Sequence, residues 1–80
     1  MPRYLFASDT GERQFRDDVG IDLSDLEAVA AEAFRLLRDL VQDEMPEGSR
    51  TYSTDVRDEQ GNLVYRGEMT VRGRRGTRDD

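Results

Sequence analysis

The chain is 80 residues long, 35% hydrophobic and 38% charged, with a net charge of −6 and neither cysteine, histidine nor lysine. This composition excludes disulfides, thiol or histidine catalysis, a Schiff-base lysine and a P-loop lysine, and leaves carboxylates as metal ligands, which would mean calcium or magnesium. A chain this short buries only about 60% of its unfolded surface, so its stability margin is small and help from a partner is expected.

In chain order, RYLFA (3–7) is aromatic-rich and strand-length, and SDTGERQ behind it carries the Asp and Gly of a turn. FRDDVGIDL (15–23) reads as a second, irregular strand in which Gly20 marks a bulge or a close backbone approach. Ser24 with Glu27 three residues later forms a capping box at a helix start. Leu26, Val29, Ala30, Ala33, Leu37, Leu40 and Val41 then recur at steps of three and four, giving one apolar helix face. Phe34, Leu36 and Met45 widen that face to an arc of roughly 180°, against the ~100° a core-facing helix needs. Either a twisted sheet wraps the helix or one shoulder meets a second subunit. Pro46 and Gly48 stop the helix. RTYSTDVRD (50–58) and LVYRGEMTV (63–71) alternate with period two about a hairpin loop, EQGN, in which Gly61 can take a positive φ. The order β-β-α-β-β predicts an α+β fold, a four-stranded, mainly antiparallel sheet with one helix packed on one face. Residues 1–72 form the single domain expected, and 73–80 an arginine- and glycine-rich disordered tail.

MPRYLF, RDDVGIDLSDLEAVAAEA and VRDEQGNLVYRGEMTV together resemble a family of short bacterial proteins, alphaproteobacterial in type, known as a domain of unknown function. Its members open P-R-Y-F-F and continue through a D-x-x-G-x-E-L-x-D-L-E-A-A block. Leu5 stands here where phenylalanine is usual, and Asp22 where glutamate is. The resemblance covers residues 2 to about 72 and implies a fold and a bacterial setting, with no activity, ligand or catalytic residue to carry over.

The acidic run around Gly20 fails the EF-hand test, since placing Gly20 at loop position 6 puts Phe15 at position 1 and Val19 at position 5. No metal and no cofactor are expected. Asp25 and Glu27 have a plainer use, complementing the helix dipole, which leaves Asp17, Asp18 and Gly20 of the family block unexplained. DTG (9–11), the tripeptide of aspartic proteases, reads here as turn chemistry. Without convergent acid and base groups no enzyme is expected.

Charge is uneven: residues 1–49 carry five arginines against twelve acids, and residues 50–80 seven against six. The acidic half argues against nonspecific nucleic-acid binding by the body of the protein. Arg72, Arg74, Arg75 and Arg78 resemble the arginine- and glycine-rich segments that contact single-stranded nucleic acid, but lack interleaved aromatics. The use of arginine for every cation is read as GC-rich coding. Strand parity puts Tyr4 and Phe6 on one face of the sheet and Leu5 and Ala7 on the other.

The leading expectation is a cytoplasmic, non-enzymatic interaction module, a homo-oligomer or the partner of another protein, with Leu5, Ala7, Phe34, Leu36 and Met45 as its candidate surface. The alternative is an antitoxin-like regulator that joins a protein through its acidic helix and nucleic acid through its arginine tail. No segment is apolar and long enough for a membrane span.

Overall fold

The computed structural model describes residues 2–44, 48–74 and 76, with the Glu44 side chain left aside. Five strands and one helix follow in the order β1 (Arg3–Asp9), β2 (Gln14–Arg16), β3 (Ile21–Asp22), α1 (Leu26–Glu44), β4 (Gly48–Arg57) and β5 (Leu63–Gly73). The sheet is antiparallel with order β2-β1-β4-β5, and β3 also pairs with β1. The α+β architecture read from the sequence is therefore present, with the second strand split in two. Ala7 lies opposite Arg16 and Arg3 opposite Asp22, so four steps along β1 are matched by six in the chain facing it. The surplus forms the turn Asp17–Gly20.

Period two decides what each strand buries. Tyr4 and Phe6 of β1 and Tyr52 and Val56 of β4 face α1, and all four are buried. From the helix, Val29, Ala33 and Leu37 are fully buried against them. The helix rests on β4 and β5 about equally and touches β1 less. Three polar residues are buried among the described residues, Ser8, Thr10 and Thr54; Ser8 and Thr54 are cross-strand partners, and their hydroxyls lie 2.9 Å apart in a hydrogen bond.

Two helix expectations change. The N-cap is Asp25: its Oδ1 accepts from the Ala28 N–H at 2.8 Å, and its carbonyl accepts the first helical bond from Val29. The helix thus starts one residue later than a Ser24 capping box requires. Leu26 opens the apolar stripe but, in the first turn of the helix, is 56% exposed. Met45, Pro46 and Glu47 lie outside the described residues.

The β4–β5 hairpin is closed by Asp58, whose Oδ1 accepts from the N–H groups of Gln60 and Asn62, both at 2.9 Å. Gly61 takes φ +89° in that loop. The domain edge expected at residue 72 falls within β5, which runs to Gly73; Arg74 and Gly76 follow outside any regular element.

Candidate interaction surface

The residues singled out in the sequence divide between opposite sides of the sheet. Leu5 and Ala7 of β1 are half-buried on the face away from α1. Ala7 borders two shallow cavities of about 410 and 270 Å³, and Leu5 the second, which is lined also by Arg16, Asp17, Asp55 and Arg57. Charges of both signs crowd this face, and Arg66 spends its guanidinium on Asp55 at 2.5 Å. Leu5 and Ala7 are thus the apolar floor of a surface rimmed by charges of both signs.

Phe34 and Leu36 lie on the helix side but on different shoulders. Leu36 is half-buried and packs against the core cluster, as Ile21 and Leu23 do. Phe34 leans over β5 and remains 42% exposed, its ring meeting Tyr65 edge-on with centroids 6.5 Å apart. Met45 lies outside the described residues. The five candidates therefore do not form one surface.

Two of the three unexplained family-block residues have structural work. The Asp17 carboxylate accepts from the N–H groups of Val19 at 3.0 Å and Gly20 at 3.2 Å, building the turn between β2 and β3. Gly20 has φ +91°, and a Cβ there would stand 2.6 Å from Cγ of Arg3. Arg3 lies across the turn, its Nε donating to Asp22 at 3.3 Å and its Nη1 to the Val19 carbonyl at 3.4 Å. Asp18 is exposed, and nothing in the structure explains it. Among the described residues no group of three or more carboxylates gathers to hold a metal ion.

DTG is likewise a turn. The Asp9 carboxylate accepts from the Gly11 N–H at 2.6 Å, and the Thr10 hydroxyl from the N–H groups of Glu12 and Arg13 at 3.3 and 3.1 Å. Of the tail arginines, Arg72 belongs to β5 opposite Ser49 and Arg74 follows the strand, while Arg75 and Arg78 lie outside the described residues.

What the residue-by-residue reading missed is the outer edge of β5. This strand pairs with β4 in regular register from Gly48↔Gly73 to Val56↔Tyr65, and its other edge meets no strand among the described residues. Beyond Tyr65 the register slips: Arg57 faces Leu63, and Val64 has no opposite number. Along the helix side of this edge stand Tyr65, Met69 and Val71, all half-buried, with Phe34 above. Leu63, at the hairpin end, is 50% exposed. Gly67 is buried directly under α1, the position of its absent Cβ lying 3.4 Å from Leu37 Cδ1 and 3.5 Å from the Tyr65 ring. The signal was present in LVYRGEMTV, a run of strand-forming residues that lacks proline and lysine, the residues that commonly blunt an edge.

Displaced titrations occur at the surface and have local causes. The Asn62 N–H, with help from the Asn62 side chain and the Gln60 and Gly61 N–H groups, holds the Asp58 carboxyl below the usual carboxylate range. Glu32 hydrogen-bonds Arg35 and raises it further above its ordinary value.

A family model described as Domain of unknown function (DUF6894) matches residues 3–70. Neither curated proteins nor solved structures give a match. No helix among the described residues is long and apolar enough to cross a membrane.

Proposed function

For a chain that belongs to the Domain of unknown function (DUF6894) family, we propose a small non-enzymatic interaction module that associates with a second copy of itself. One observation carries this reading: β5, eleven residues long, leaves its outer edge unpaired by any described strand. An open edge presents a row of backbone donors and acceptors to any strand that can align with it. Apolar side chains of Phe34 and Leu63 flank that edge while still exposed, so association would remove them from water. The non-enzymatic part is supported by the absence of histidine, cysteine and lysine, and by Asp58 and Arg35, whose displaced titrations come from a loop and a helix-surface ion pair. A bacterial cytoplasm is part of the same proposal.

Sedimentation velocity across a concentration series tests it. The expected result is a species of twice the chain mass that dissociates on dilution. A monomer persisting at several hundred micromolar would remove the self-association reading.

A further inference from the structure

The segment Tyr65-Arg66-Gly67-Glu68-Met69 has a physical symmetry about its glycine: an arginine and a glutamate on either side, then two large apolar residues. We infer that two copies join β5 to β5 antiparallel, about a two-fold axis through Gly67, with the two α1 helices side by side on one face of a continuous sheet. This rests on the self-association reading above and specifies its surface.

An isologous strand pair sets residue i against its mirror position across the axis. With the axis at Gly67, Arg66 lies opposite Glu68 of the second copy, and Glu68 opposite the second copy's Arg66. Both side chains are on the face away from α1, 48% and 59% exposed; inside one chain Arg66 holds Asp55 at 2.5 Å and has only a 3.9 Å contact with Glu68, so the second copy's Glu68 would join Asp55 around the guanidinium. On the helix face, Tyr65 comes opposite Met69 of the second copy, and the two glycines meet on the axis without side chains. An axis at Arg66 or Glu68 would set like charges directly against each other, which destabilises a strand pair. An axis at Met69 would set Arg66 against Arg72.

One other centre, Thr70, also pairs opposite charges within β5, Glu68 with Arg72. The helix decides between the two. Gly67 is where α1 crosses the edge strand, through Leu37 and Ala33, so the Gly67 axis brings the helices abreast. Because α1 rests equally on β4 and β5, its axis runs half a strand spacing inside the edge. With strands about 4.8 Å apart, the two helix axes then lie about 10 Å apart, which is helix-packing distance. Phe34, on the β5 shoulder, then falls between them and is covered. The Thr70 axis would slide the helices past one another by about 20 Å along the sheet, six residues of strand, leaving Phe34 and Tyr65 uncovered.

The test is a charge swap by mixing. The full-length variants Arg66→Glu and Glu68→Arg each place like charges across the axis twice, and each is expected to weaken self-association by at least about tenfold in sedimentation. Mixed in equal amounts they restore two opposite-charge pairs, and a heterodimer is expected. A folding defect would not be repaired by mixing, and circular dichroism on each variant checks the fold. On the unaltered chain, the β5 amides that point away from β4 are expected to gain exchange protection as concentration rises. Single variants that stay fully associated, a mixture that stays monomeric, or β5 amides that exchange freely in the dimer would each overturn the Gly67 axis while leaving self-association standing. Dissociation by Arg72→Glu with Arg66→Glu still associated would overturn it in favour of Thr70. A monomeric unaltered chain would overturn both readings.

Discussion

Gly20 shows how one residue can be required by geometry on two counts. Its φ of +91° disfavours any L side chain, and Arg3 fills the space where a Cβ would go. Gly20→Ala is expected to cost about 1–3 kcal/mol in urea unfolding. Adding Arg3→Ala should recover only part of that, because shortening the arginine removes the clash and leaves the backbone strain. Asp58 gives a prediction in pH. Its carboxyl is depressed in the folded state, chiefly by the Asn62 N–H, so its contribution is complete above the unfolded carboxylate value of about 3.9 and is lost as pH falls through the lower folded value. Chemical shifts of Gln60, Gly61 and Asn62 should follow that titration with a midpoint below 3.9, and Asp58→Asn should abolish it. The turn residues were legible in the sequence as turn formers. What each carboxylate binds was not: Asp17 and Asp58 have the same chemistry as Asp18, and only the path of the backbone distinguishes them.

At the scale of elements, the helix boundary is the sharpest case. Ser24 and Asp25 are both good N-caps, and Glu27 three residues after Ser24 favours the serine on paper. The helix instead begins after Asp25, which bonds the Ala28 N–H. Asp25→Ala is therefore expected to lower stability by about 1 kcal/mol, and Ser24→Ala to leave it nearly unchanged, both read from denaturant midpoints. Strand parity was legible because period two leaves no freedom: once Tyr4 and Phe6 face the helix, Leu5 and Ala7 cannot. Helix shoulders were not, since Phe34 and Leu36 flank the same stripe and only the position of the sheet makes one exposed and the other half-buried against the core. The split of the second strand was half legible, in Gly20. The order β2-β1-β4-β5 was not legible, because the pairing of β1 with β4 joins segments some fifty residues apart, Phe6 with Val56, and no local pattern records it.

At the scale of the whole molecule, one helix covers one face of β1, β4 and β5, and the interior it encloses is small. Among the described residues seven hydrophobic side chains are buried in it, two of them tyrosines. The Tyr52 hydroxyl is buried with no hydrogen-bond partner among the described residues, a cost that a larger core would absorb more easily. A chain with this little surplus gains disproportionately from any further burial, and the exposed Phe34 and Leu63 beside an open strand edge are where further burial is available. If a second copy supplies it, folding and association are linked, and the thermal midpoint must depend on concentration. Each tenfold increase in protein should raise the midpoint by about 3 to 5 °C for a domain of this size. Glu68→Arg, which leaves the core intact but sets arginines against each other at the edge, should show a smaller shift of the midpoint over the same concentrations. A midpoint for the unaltered chain that does not move over two decades of concentration would mean that the small core is sufficient alone and that β5 remains an open edge in solution.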